Sequence, residues 1–183
     1  SAAVPSGGLV RFQTIKPYTC PSDFTYNNGW SGNQMNAWRG ASYGANQQLF
    51  GSVRVGGNAD GPSFKVGNIP DGTSNTIAWG ETYATTNFNG ANGNLWAHPG
   101  IDWGWQWPPV IANTRSHSTF AFNLPQFAPT LANADKRLSQ SAHTGQVLVG
   151  IMDGSVRSIN AGIIQATWQN ALMPADGNVL VNW

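Results

Sequence analysis

Charge is scarce in this sequence. Lys, Arg, Asp and Glu together make up 9% of the 183 residues, and the formal net charge is +1. So few cations leave no basic footprint for nucleic acid and no polybasic patch for anionic lipid. Cysteine occurs once, at Cys20, which excludes a disulfide framework or a thiolate cluster built from this chain alone. Glutamate also occurs once, so Glu81 with Asp102 is the one carboxylate pair worth testing for glycoside chemistry. The Gly-x-Ser-x-Gly elbow and the Walker-type glycine loop are missing, and Cys20 lies beside Pro21 with no histidine in its block. An enzyme is not expected. No apolar run approaches the roughly 20 residues that span a bilayer, and the opening SAAVPSGGLV has neither the charged region nor the apolar core of a signal peptide.

What is present is glycine (22), proline (11), tryptophan (9) and uncharged polar side chains, a balance that leans toward secreted β-rich proteins. The length suits one domain, residues 1–183. Strand-like runs lie between turn signals at Leu9 to Ile15, Gly51 to Gly56, Phe64 to Ile69, Asn75 to Ala84, Gln146 to Met152, Ser155 to Ile159 and Asn178 to Trp183. One segment has helical spacing: Ile163, Ile164, Thr167, Trp168, Ala171 and Leu172 share a face, with Asn160 as the expected N-cap and Pro174 as the stop. Residues 87–139 dissolve into Gly, Asn, Pro and aromatics and read as a loop-rich insertion.

His143 is followed, nine residues later, by Asp153-Gly154 and then SVRSI. Val147, Val149 and Ile151 alternate with Leu148, Gly150 and Met152, so both faces are apolar and the strand is expected to be central. Asp-Gly turns it back, as in four of the seven Asp positions. An extended run rises about 3.3 Å per residue, which places His143 and Asp153 on the order of 30 Å apart. They are the ends of a hairpin arm and share neither a metal ion nor a proton.

Three further groups are candidates. Asp71, Thr73, Ser74 and Asn75 crowd oxygen atoms into DGTSNT; the preferred reading is an Asx-turn, and the alternative is calcium held at Asp71, Ser74 and Asn75. Trp103, Trp105 and Trp107 fall two apart, so an extended backbone projects three indoles from one face, for burial or subunit contact before a glycan platform. His98 and His117 fit no zinc spacing and read as surface or hydrogen-bonded loop residues.

Four blocks in order carry a resemblance: CPSD at Cys20 to Asp23, ASYGAN at Ala41 to Asn46, IPDGTSNTIAWGE at Ile69 to Glu81, and the His143 to Asp153-Gly154 motif with SVRSI. Together with the TWQNAL helix and DGNVL they resemble a large bacterial family of prepilin-like proteins, over Leu9 to Leu180. The motif residues so marked are Cys20, Asp71, Gly72, Ser74, Asn75, Glu81, His143, Asp153 and Gly154. The resemblance implies an α+β fold, predominantly antiparallel β, shaped as a pilin-like head with a long loop excursion and one short C-terminal helix. It implies a non-enzymatic structural subunit of type IV pilin or type II secretion pseudopilin type, exported to the periplasm or cell surface. The partners are then other pilin-like subunits or secretion and filament machinery, with membrane contact through an N-terminal helix preceding this head. Surface polysaccharide, bound on the tryptophan strip, is the alternative partner. No cofactor other than calcium is expected. In an exported protein Cys20 is expected to pair with a cysteine outside this sequence.

Overall fold

The computed structural model describes residues 8–31, 38–51, 64–87, 92–98, 106–181 and 183. Its strands are β1 (Tyr26–Asn27), β2 (Trp30–Ser31), β3 (Tyr43–Asn46), β4 (Ile77–Glu81), β5 (Thr85–Thr86), β6 (Asn92–Gly93), β7 (Val110–Ile111), β8 (Gln126–Phe127), β9 (Gln140–Ser141), β10 (Gln146–Ile151) and β11 (Val156–Asn160). Among the described residues three α-helices accompany them: α1 (Gln47–Phe50), α2 (Thr114–His117) and α3 (Gln165–Leu172). The fold is α+β and β-rich. Among the described residues no helix is long and apolar enough to cross a membrane.

The central sheet has the order β11-β10-β4-β3-β7. Its first four strands are antiparallel neighbours, and β7 closes the edge in parallel with β3, pairing Ala45 with Val110 and Asn46 with Ile111. The β10-β11 hairpin forms where alternation and Asp-Gly place it, in register from Gln146↔Asn160 to Gly150↔Val156. Gly154 takes φ +90 in the turn, a conformation closed to most side chains. β10 is central, as its two apolar faces predict.

One sheet face is covered by α3. Val147, Val149 and Ile151 pack there with Ile77, Ile111, Ile159, Trp168, Ala171 and Leu172, all buried. Burying such side chains contributes roughly 1.5–3 kcal/mol each. Opposite lies a smaller cluster of Leu49, Ile69 and Ala78, extended by Phe50, Phe64 and Met152. A register shift between Gly150 and Ile151 leaves Ala78 as an extra residue in β4, so Ile77 joins the first cluster while Ala78 joins the second. Gly80 keeps the sheet surface bare for Ile111, whose Cδ1 would lie 2.8 Å from a Cβ at that position.

Several expected elements differ. Leu9 to Ile15 is not a strand but contains a 3-10 turn, Val10–Phe12. Its carbonyls are taken singly, Arg11 O by the Arg39 amide, Phe12 O by the Arg39 side chain and Gln13 O by the Trp96 indole, so no ladder is needed. Phe64 to Ile69 is a turn closed by Asn68 N donating to Lys65 O, and its apolar ends fill the smaller cluster instead of pairing. Asn178 to Val181 carries no strand either; Val181 O accepts from Thr167 on α3, so the segment straps the helix. Asn160 ends β11 and turns its Oδ1 to Gly162 N; the helix starts later, with Ile164 at its N-cap and half exposed. The run Gly51 to Gly56 lies outside the described residues beyond Gly51. The 87–139 insertion is more structured than its composition suggests: it supplies β7, α2 and the buried residues Asn94, Leu95, Ile111, Phe122 and Lys136.

Candidate functional site

The site is built from four chain segments. Cys20 opens a turn in which Pro21 takes the second position, and Asp23 N donates to Cys20 O at 3.0 Å. The buried Asp23 carboxylate pins that turn: one oxygen accepts from the Thr25 amide (2.9 Å) and hydroxyl (2.6 Å), the other from Ser42 Oγ (2.7 Å) and Ala84 N (2.9 Å). Cys20 is thereby held above the end of β4, where Glu81 lies opposite Tyr43 of β3.

Glu81 is 2% exposed. Its Oε2 accepts from Ser141 Oγ at 2.6 Å and from Leu148 N at 2.9 Å, the latter an amide of β10 reached just beyond the end of the β4 ladder. Its Oε1 faces two groups: Nε2 of His143 at 3.3 Å and Sγ of Cys20 at 3.8 Å. Ser141 Oγ also accepts from His143 N at 3.1 Å, so one hydroxyl orients both the carboxylate and the histidine backbone. One donor atom each from Cys20, Glu81 and His143 lies within 4.8 Å of the other two. Burial, and then the neighbouring Cys20 and Glu81, push the Tyr43 phenol up to about 12; its hydroxyl also bonds Cys20. Chemically the cluster offers a thiol, a carboxylate oxygen and an imidazole nitrogen converging on one small volume, with the His143 side chain 28% exposed.

Beside it, Tyr43 also lines an apolar groove of about 570 Å³ on the sheet, shared with Ala45, Trp79 and Val110 and walled by Tyr18 and Trp96. Trp79 is 48% exposed there.

The other sequence candidates fall elsewhere. Asp153 and Gly154 sit past the far end of β10 from His143, and Asp153 Oδ1 accepts from the Ser155 amide and hydroxyl. Asp71 directs both carboxylate oxygens to backbone amides of Asp176 (2.8 Å) and Gly177 (3.0 Å), while Asn75 Nδ2 donates to Asp71 O and Gly72 begins the turn with φ +89. Ser74 lies exposed in the same turn. Trp103, Trp105 and Asp102 lie outside the described residues; Trp107 is half-buried, its carbonyl accepting from Leu95 N. His98 lines the groove, and burial pulls His117 down to about 4.

Cys20 has no histidine in its own block, and the fold brings His143 to it from another. Tyr43 falls in the ASYGAN block without standing out as a site residue there, and the one sequence signal for Ser141 is its place two residues before His143.

Comparison with curated proteins and with solved structures returned no match. Residues 4–164 match a family model described as "Protein of unknown function (DUF1559)". That span takes in the CPSD turn, β3, β4, β10 and β11 and every residue of the Cys20, Glu81 and His143 cluster, and the chain belongs to this family.

Proposed function

We propose that the chain is the folded head of a pilin-like or pseudopilin-like subunit, an exported structural protein without enzymatic activity. The observation that carries this reading is the apolar groove on the sheet surface that α3 leaves uncovered. A monomer seldom leaves a groove of this kind open without a use. Its wall includes Pro17 and Tyr18 of the N-terminal segment, and a helix preceding this head would be its occupant. Family membership and the one short C-terminal helix on a β-rich head agree with that plan. Sedimentation of this chain beside the full-length gene product tests it. The head alone is expected to be monomeric or weakly dimeric, and the longer form to assemble or stay with membranes; ordered filaments from the head alone would overturn it.

A second reading, polysaccharide binding, has a specific observation in its favour. Gln47 lines the groove, and its buried Oε1 has no hydrogen-bond partner among the described residues, as an acceptor awaiting a ligand hydroxyl would. The aromatic walls Tyr18, Trp79 and Trp96 suit sugar rings, so this reading now centres on the groove. Saturable quenching of tryptophan fluorescence by a glycan, lost in Trp79→Ala, would favour it over the first.

A further inference from the structure

We propose that Cys20, Glu81 and His143 form a zinc site with three protein ligands and one open coordination position. The inference is independent of the pilin-like reading.

The chain has one cysteine, one glutamate and three histidines among 183 residues, and the cysteine, the glutamate and one histidine meet although they are 61 and 62 residues apart in turn. A buried acceptor for two hydrogen bonds needs none of these rare types. Asp23 shows how the same fold satisfies a carboxylate with serine, threonine and backbone donors.

A thiol is a weak donor, and a sulfur to oxygen distance of 3.8 Å is a poor hydrogen bond, so Cys20 stabilises Glu81 little as a donor. The same spacing suits ligands. Zinc bonds of about 2.0–2.3 Å in tetrahedral array set nitrogen, oxygen and sulfur ligands roughly 3.3–3.6 Å apart. The Nε2 to Oε1 edge is 3.3 Å and the Sγ to Oε1 edge 3.8 Å; the sulfur also lies within 4.8 Å of a ring nitrogen, an edge that rotation of the half-buried His143 ring closes. Ser141 and Leu148 N hold Oε2, which leaves Oε1 as the ligand atom, an outer-shell arrangement typical of carboxylate ligands.

On binding, the thiol gives its proton to solvent and coordinates as thiolate, Glu81 coordinates as carboxylate and His143 through neutral Nε2. Two negative ligands cancel the metal's two positive charges, and a neutral unit suits a buried place. Thiolate with imidazole favours zinc over calcium or magnesium, which take oxygen ligands. The fourth position falls to water or an outside ligand entering past His143.

Cobalt(II) titration of the metal-stripped chain tests the site, because with one cysteine any thiolate-to-cobalt charge-transfer band reports Cys20. The expected result is a band saturating at one equivalent, erased by zinc, with zinc also protecting Cys20 from alkylation. His143→Ala and Glu81→Gln, folded by circular dichroism, are expected to abolish both effects. Ser141→Ala acts through Glu81 and is expected to weaken zinc binding about 10- to 100-fold while keeping the band. Absence of the band and of protection in the wild-type chain overturns the proposal whether or not any variant folds. So does a band unchanged in both ligand variants, or Cys20 found in a disulfide in the natively expressed protein.

Discussion

Two carboxylates are buried within one neighbourhood of this fold, and they are treated differently. Asp23 receives four hydrogen bonds of 2.6–2.9 Å from two backbone amides and two hydroxyls. Glu81 receives two such bonds on Oε2, while Oε1 is left to a thiol at 3.8 Å and an imidazole at 3.3 Å. A carboxylate that only holds structure is saturated with strong neutral donors; one that is half-saturated and faces two metal-ligating side chains keeps an atom in reserve. The contrast separates scaffold from site without reference to any relative.

Breaking the scaffold should have the largest effect. Asp23→Ala strands the Thr25 and Ala84 amides and two hydroxyls in the interior, and the expected loss is about 3–5 kcal/mol in urea unfolding. Glu81→Gln should cost less in metal-free protein, about 1–2 kcal/mol, because only the Oε2 partners are strong. Its larger signature is conditional. Zinc at 100 times its Kd should raise wild-type stability by about 2.7 kcal/mol, and that increment should vanish in Glu81→Gln. Equal losses for the two variants, with no zinc increment, would erase the distinction between the carboxylates.

The comparison also explains what was legible in the sequence. The β10-β11 hairpin and β4 were readable because Val147, Val149 and Ile151 alternate and Asp153-Gly154 names its own turn, so all the information is local. Cys20, Glu81 and His143 were each readable as motif residues. Their meeting was not, because it depends on β3 pairing with β4 and β4 with β10, contacts that span tens of residues. β7 hid for the same reason: Val110 and Ile111 follow two prolines in an aperiodic stretch, and only the Gly44 and Gly80 surface makes a strand of them. Leu9 to Ile15 failed in the opposite sense, with alternation and no partner strand among the described residues.

A buried cation sharpens the contrast from the other sign. Lys136 is 5% exposed, its Nζ donates to Asn94 Oδ1 at 3.0 Å, and burial pulls its ammonium down to about 7 from 10.5. Between those pH values the unfolded chain holds a proton that the folded chain has released, so stability should rise with pH across the window. The gain is complete above the unfolded value and is lost as pH falls toward 7. Lys136→Met should remove the slope, up to about 1.4 kcal/mol per pH unit, and be the more stable protein at pH 6. A wild-type stability that is flat between pH 7.5 and 9.5, measured by urea unfolding, would contradict a neutral Lys136.

The smallest expected effect concerns Asp71, a third carboxylate and a half-exposed one. Its two oxygens accept from Asp176 N and Gly177 N, which fastens the turn before β4 to the segment after α3. Asp71 N donates in return to Pro174 O at 3.2 Å, so the clamp retains a backbone bond when the side chain is removed. Both amides are near enough to the surface to find water, and the cost of Asp71→Ala should be about 1 kcal/mol. Calcium is the discriminating reagent, since oxygen ligation would have to draw Asp71 away from those amides. If the carboxylate serves the clamp, calcium leaves the thermal midpoint of the wild-type chain unchanged and amide exchange at Asp176 and Gly177 quickens in Asp71→Ala. A midpoint that rises with calcium, and ceases to do so in Asp71→Ala, would instead place an ion in the turn and make Asp71 a second carboxylate of the Glu81 kind.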